Sequence, residues 1–108
     1  MANGYQIIVT PRAEQKLEDI VFYVKENASE QTAEKVRKGI LETIKSLAKM
    51  PTAHPLVPEI STEQVVFRRI MKWSYRIIYT IKENELTVVV AEINHEKEDL
   101  EKLKGVIL

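Results

Sequence analysis

Two apolar segments separated by four polar residues constrain the fold of this chain more than any other feature of its sequence. WSYRIIYTI (73–81) and LTVVVAEIN (86–94) are rich in β-branched and aromatic residues, and KENE (82–85) lies between them. This arrangement is typical of two antiparallel strands joined by a turn. VVFRRI (65–70) has a similar composition, so the sequence predicts a three-stranded antiparallel meander in the second half of the chain.

The first half of the chain has helical periodicity. After a short predicted strand, YQIIV (5–9), Thr10-Pro11 is a typical helix start, because threonine caps free N–H groups and proline fits the first turn. Apolar residues at helical spacing predict a first helix that ends near Asn27. Ser29 then begins a second helix, which ends before Pro51. The short break between the helices predicts an antiparallel helical hairpin.

These elements together predict an α+β fold. We expect an N-terminal strand and a helical hairpin packed on a twisted antiparallel sheet, with a short C-terminal helix within residues 95–103. The proline-containing segment 51–64 is the predicted loop between helices and sheet. A chain of 108 residues has room for one hydrophobic core, so we expect a single domain over residues 1–108.

Composition excludes several classes of protein. Hydrophobic residues make up 44% of the chain and charged residues 30%, and no apolar run approaches the about 20 residues of a membrane span. The N-terminus lacks the pattern of a secretory signal, which predicts a cytoplasmic protein with no membrane partner. With no cysteine and only two histidines, we expect neither a metal nor another cofactor.

Charge is distributed unevenly along a chain whose formal net charge is zero. The zero net charge argues against a general nucleic-acid binder, which needs a broad cationic surface. Residues 64–82 nevertheless contain five basic residues and no acidic one, whereas residues 92–101 contain five acidic residues and one lysine. The basic residues are Arg68, Arg69, Lys72, Arg76 and Lys82.

Arg76 is the one charged residue within the segment 73–81. Strand alternation puts it on the opposite face from the residues that should pack on the helices, which are Trp73, Tyr75, Ile77, Tyr79 and Ile81. If residues 82–85 form the hairpin loop, Arg76 pairs with Ala91. We therefore expect Arg76 and His95 close together on an accessible sheet face, an arrangement that a one-residue slip would destroy.

Several segments of the sequence resemble one known family. TPRAEQKLEDI (10–20), FRRIMKWSYRIIYTI (67–81) and VVVAEINHEKEDL (88–100) are similar, in this order, to the RelE/ParE superfamily of type II toxins. The most specific pieces are YRIIY (75–79) and the ending H-x-x-x-D-L (95–100). The long helical hairpin and this ending are more similar to ParE, the toxin of plasmid stabilisation modules.

The resemblance implies a growth-arresting toxin encoded beside a cognate antitoxin that neutralises it. It is compatible with two assemblies, a homodimer and a hetero-oligomer with the antitoxin. ParE-like members poison DNA gyrase and need not be enzymes. On this interpretation, Arg68, Arg69 and Lys72 are the target-binding residues. A non-toxic binding module of the same fold is a further alternative.

The other alternative is a RelE-like endoribonuclease that cuts messenger RNA on the ribosome. Such a reaction needs side chains that stabilise the phosphorane charge and transfer protons. Arg76 matches a catalytic arginine of RelE, and His95 is the candidate acid or base, so these two residues are catalytic only on the RelE-like interpretation. Glu98 and Asp99 beside His95 would repel a phosphate.

Each candidate also has a structural interpretation. Arg76 could be a solvated charge that pairs across strands with Glu92 or Glu85. The pair Arg68-Arg69 could protect an edge strand against aggregation. His95, at a strand end, could be a capping or hydrogen-bonding residue.

Overall fold

The computed structural model describes residues 4–107, which form two α-helices and one four-stranded sheet. In chain order the elements are β1 (Gln6–Val9), α1 (Pro11–Asn27), α2 (Glu30–Ser46), β2 (Phe67–Lys72), β3 (Tyr75–Lys82) and β4 (Thr87–His95). Short 3₁₀ helices lie at Pro51–Ala53, Glu83–Glu85 and Leu100–Leu103. The predicted α+β fold class is therefore confirmed, and the last of these short helices is the predicted C-terminal one.

Both helices begin where their capping residues predicted. The Thr10 hydroxyl accepts a hydrogen bond from the Ala13 amide at 3.1 Å, and the Ser29 hydroxyl accepts one from Thr32 at 3.0 Å. An ion pair between Arg37 and Glu18 links the two helices of the hairpin. Within the part of the chain that the structure describes, no helix has the length and apolarity needed to cross a membrane.

The sheet has the strand order β1-β4-β3-β2. Strands β2, β3 and β4 form the predicted antiparallel meander. β1 instead pairs in parallel with β4, with Gln6 opposite Thr87, so the whole sheet is mixed rather than antiparallel. Hydrophobic pattern alone does not specify the pairing partner of a four-residue strand, and this pairing could not be read from it.

The register of β3 and β4 differs from the predicted one in two ways. The hairpin loop has the predicted four residues, but it is residues 83–86, with Leu86 in the left-handed region at φ 47°. A β-bulge then follows, because Tyr79 lies opposite Val90 whereas Ile78 lies opposite Glu92. The predicted pairing of Arg76 with Ala91 is wrong, and Arg76 lies opposite Asn94.

The sheet separates two hydrophobic clusters. The face that packs on the helices, called the helix face here, carries Tyr75, Ile77, Tyr79 and Ile81 as predicted, whereas Trp73 lies in the turn before β3. The opposite face, called the distal face, is also covered, by the loop after α2 and by residues 96–107, called the C-terminal segment here. Its cluster comprises Val57, Ile60, Phe67, Ile78, Ala91, Leu103 and Ile107.

Tyr79 connects the helix-face core to the loop. Its hydroxyl donates a hydrogen bond of 2.6 Å to the carbonyl oxygen of Pro51. Burial raises the pKa of this phenol to about 12. The phenol therefore stays protonated, and able to donate, across the whole physiological range of pH.

Candidate functional site

Arg76 is buried, with 7% of its surface exposed. Its Nε donates to Asn94 Oδ1 at 3.0 Å, and its Nη2 donates to the carbonyl oxygens of His95 at 3.2 Å and Glu98 at 2.6 Å. The prediction of an accessible Arg76 on the distal face is wrong, because the chain after β4 turns across that face and covers the guanidinium. Arg76 therefore fixes the start of the C-terminal segment to the sheet.

Asn94 connects Arg76 to a second set of charges. Its amide nitrogen donates to Glu92 Oε2 at 2.9 Å, and the fully buried Glu92 pairs with Arg12 at 2.8 Å and Lys16 at 3.2 Å. Buried charges are tolerated only when they are paired and hydrogen-bonded in this way. Arg76, Asn94, Glu92, Arg12 and Lys16 are called the buried ionic cluster here.

Sequence reasoning missed the buried ionic cluster, although part of its signal was present. Glu92 is an acid inside the apolar segment 86–94, and Arg12 and Lys16 stand four residues apart, which places them on one face of α1. The contact between Arg12 and Glu92 spans 80 residues of sequence. No local pattern specifies such a contact.

His95 lies on the other side of the sheet from the Arg76 side chain. Its ring packs edge-on against Tyr75 on the helix face, with ring centroids 5.7 Å apart, and its Nδ1 accepts a hydrogen bond from the Lys97 amide at 3.1 Å. The expected pairing of Arg76 and His95 side chains on one face is therefore wrong. The physical reason is the bulge in β4, since one inserted residue reverses the facing of every residue beyond it.

The three basic residues predicted to bind a target do not form one patch. Arg68 and Lys72 lie on the helix-face side of β2, where Arg68 donates to the carbonyl oxygens of Thr52 and His54 at 3.1 and 2.7 Å. Lys72 Nζ lies 4.6 Å from the ring centroid of Trp73. Arg69 points to the distal face. Their role in target binding stays a prediction.

Arg69 and Arg76 line a groove of about 430 Å³ on the distal face. Glu59 and Glu96 line the same groove, so its two positive charges face two negative ones. Such a lining is poorly suited to a phosphate group, which the carboxylates repel. Among residues 4–107 no three acidic or histidine side chains lie close enough together to hold a metal ion.

A second groove, of about 550 Å³, lies between α1 and the ends of β3 and β4. Its apolar lining is Ile20, Tyr23 and Tyr75, and its polar lining is Lys16, Asp19, His95 and Glu98. We call it the α1 groove. Sequence reasoning assigned Tyr75 to packing, gave Tyr23 no role and did not find the groove, because the groove arises only when α1 lies beside the strand ends.

Comparison with known protein families matches residues 7–100 to the ParE toxin of the type II toxin–antitoxin system, parDE. The chain belongs to the ParE toxin family. The match includes both helices, all three strands of the meander and the ending H-x-x-x-D-L. It confirms the resemblance to the RelE/ParE superfamily that the sequence motifs indicated.

Solved structures of ParE and RelE toxins have the same fold as this chain. A chain of the chromosomal ParDE system from P. aeruginosa superposes with a TM-score of 0.68 at 16% identity, over 84% of this chain and 95% of that one. A chain of the RelBE2 toxin–antitoxin complex from Mycobacterium tuberculosis superposes with a TM-score of 0.59 at 18% identity, over 88% of this chain and 94% of that one. A RelE mutant from E. coli in the free state superposes with a TM-score of 0.61 at 13% identity, over 95% of each chain. A comparison with curated protein sequences finds no match.

Proposed function

We propose that this chain is the toxin of a type II toxin–antitoxin module, that it acts in the cytoplasm on DNA gyrase by binding rather than by catalysis, and that a cognate antitoxin neutralises it. Membership of the ParE family supports the toxin role. The observation that carries the non-enzymatic part is the burial of Arg76, whose guanidinium is bonded to oxygen atoms of its own chain.

Metal-free cleavage of RNA needs a cation at the phosphate and an acid or base within hydrogen-bond reach of the reacting atoms. Arg76 donates to three internal acceptors, and His95 lies on the opposite side of the sheet. Glu59 and Glu96 beside the distal groove would also repel an RNA phosphate. These features favour a protein that traps its target over an endoribonuclease.

Lys72 and Trp73 are the residues that we expect to contribute most to gyrase binding. Trp73 is half exposed, and the ammonium group of Lys72 lies over its ring. A tryptophan beside a cation is typical of the few residues that dominate a protein interface. Arg68 lies on the same side of β2 as Lys72 and would contribute charge beside this pair, whereas Arg69 points to the distal face and would contact the target from there.

A gyrase cleavage assay with purified components tests the proposal. We expect the chain to increase the amount of linear plasmid recovered after protease and detergent treatment of a gyrase reaction. Lys72→Ala should require an about tenfold higher concentration for the same effect, because it removes one of the central contacts. Lys45→Ala is the matched control, since Lys45 is an exposed lysine on α2 away from Trp73.

Two other outcomes would replace this function. If gyrase is unaffected but primer extension finds messenger RNA cut in a translating extract, the chain is a RelE-like endoribonuclease. If neither gyrase nor messenger RNA is affected, and expression of the chain does not slow DNA or protein synthesis in pulse labelling, it is a non-toxic binding module.

A further inference from the structure

We propose that the groove on the distal face, whose charged lining is Arg69, Arg76, Glu59 and Glu96, binds a free α-amino acid with an aliphatic side chain. This inference goes beyond the proposed function and does not depend on the choice of gyrase as target.

The charged side chains of this distal groove leave both signs of charge available to a ligand. Two arginines supply the positive charges and two glutamates the negative ones. Within residues 4–107, none of the ion pairs joins an arginine of the groove to one of these glutamates. Opposite charges that share a groove without pairing favour a ligand that carries both charges itself.

The guanidinium of Arg76 has one nitrogen left for such a ligand. Nε and Nη2 donate to oxygen atoms of Asn94, His95 and Glu98, whereas Nη1 makes no hydrogen bond within the described residues. No buried side-chain nitrogen of those residues is without a partner, so Nη1 must reach solvent although only 7% of Arg76 is exposed. Arg76 lines the distal groove, and its fixed guanidinium therefore offers a pre-positioned donor for a carboxylate there.

The edge of β2 adds a backbone donor and acceptor at Met71. The loop after α2 occupies this edge up to Arg69, whose amide donates to the carbonyl oxygen of Pro55 at 3.0 Å. Because outward-pointing groups alternate along a strand, the N–H and C=O groups of Met71 are the next ones to face outward, and Met71 lines the groove. The strand ends at Lys72, so the open edge is too short for an added strand. These features favour a small ligand over an extended peptide.

Apolar side chains complete the lining of the groove. Leu56, Met71 and Leu100 border it, and Leu56 is 51% exposed. The volume of about 430 Å³ lies within the roughly 300–1,000 Å³ of small-molecule sites. An aliphatic side chain packs against these residues while an α-carboxylate and an α-ammonium group meet the charges. Only a free amino acid carries both groups on one carbon atom, because in a peptide at least one of them is part of an amide bond.

The test is a titration of the isotope-labelled chain with L-leucine, followed by NMR. We expect the amide signals of Met71 and Glu96 to shift with a dissociation constant in the millimolar range, as for a small ligand in an open groove. Isocaproate lacks the ammonium group of leucine, and isoamylamine lacks its carboxylate. Each should bind about tenfold more weakly than leucine, because each leaves charges of one sign without a partner.

Two variants and two matched controls locate the site. Arg69→Ala and Glu96→Gln each remove one charge from the groove and should weaken leucine binding about tenfold. Lys82→Ala and Glu101→Gln remove exposed charges outside the groove and should bind leucine within about twofold of wild type. Circular dichroism of the four variants shows whether each is folded.

Three results would overturn the inference. No shift up to the solubility limit of leucine would exclude the ligand. Equal binding of leucine and of either analogue would show a site for a single charge. Unchanged binding in Arg69→Ala and Glu96→Gln would place the ligand elsewhere. Weaker binding of both analogues and in both variants, with unchanged controls, supports the inference whether or not the chain affects gyrase.

Discussion

Arg76 contributes to this fold through the oxygen atoms that its guanidinium holds. Two of them are backbone carbonyls, that of His95 at the end of β4 and that of Glu98 in the C-terminal segment, and the third belongs to Asn94, which in turn donates to Glu92. From the sequence, Glu92 was considered as a direct cross-strand partner of Arg76. In the structure the side-chain amide of Asn94 lies between the two residues and bonds to both. A mid-strand arginine is compatible with burial here because each of these contacts compensates part of its desolvation.

At the residue scale, we predict that Arg76→Ala lowers the free energy of unfolding by about 2–4 kcal/mol, because it leaves buried acceptors without a donor. Urea unfolding followed by circular dichroism measures this change. Arg69→Ala is the control, since Arg69 lies on the same face and makes none of these bonds. Equal stability of the two variants would contradict the structural role of Arg76.

This prediction affects how toxicity experiments are interpreted. Loss of toxicity in Arg76→Ala could result either from unfolding of the protein or from loss of a catalytic group. That variant alone therefore cannot identify a nuclease. Arg76 and His95 as a catalytic pair, and Arg68, Arg69 and Lys72 as target-binding residues, therefore need activity assays on variants shown to be folded.

At the scale of the elements, the contact between α2 and the turn before β3 is unusually close. Gly39 lies in the middle of α2, and a Cβ atom built on it would overlap the indole ring of Trp73. Trp73 itself adopts φ 53°, a left-handed conformation that is strained for a bulky residue. The missing side chain of Gly39 therefore leaves the space that the indole ring occupies.

We predict that Gly39→Ala displaces the indole ring and moves the fluorescence maximum of the native protein to longer wavelength. Trp73 is the only tryptophan, so the signal is unambiguous. The stability should change by less than about 1 kcal/mol, since alanine's higher helix propensity opposes the lost packing. Lys38→Ala, at the preceding exposed position, is the control, and an unchanged spectrum in Gly39→Ala would show that the ring is not held there.

The helices were predictable from sequence because their signals are local. Thr10 and Ser29 act within three residues of themselves, and the apolar spacing that follows each cap is sufficient to define one buried face. The bulge in β4 has no comparable signal, because no glycine or turn residue marks Ala91. That bulge determines which face of the sheet His95 lies on. The predicted site therefore placed His95 on the same face as Arg76, which is wrong, although the strands of the meander were predicted correctly.

At the scale of the whole molecule, the sheet is covered on both faces. The sequence predicted the helix-face core, because helical and strand periodicities both mark it. The distal core depends on Val57, Ile60, Leu103 and Ile107, which lie in segments without regular periodicity. A cluster formed by irregular segments could not be predicted from spacing, and for that reason the distal face was expected to be accessible.

We predict that Leu103→Ala lowers the free energy of unfolding by about 2–4 kcal/mol, because it opens a cavity in the distal core. Val106→Ala should change it by less than about 0.5 kcal/mol, as a surface substitution does. The exposed fractions are 6% for Leu103 and 55% for Val106. Thermal or urea unfolding of both variants makes the comparison, and similar values would mean that the C-terminal segment is only loosely attached.

The pairing of β1 with β4 also determines how early during synthesis the chain can finish folding. The first strand finds its partner across a sequence separation of 81 residues, as in the pair Gln6 and Thr87. The helical hairpin can form early, whereas the sheet closes only after almost the whole chain has been made. Since Glu92 and Asn94 belong to that last strand, the buried ionic cluster also assembles at the end, and an unfinished chain presents neither a closed sheet nor the finished α1 groove.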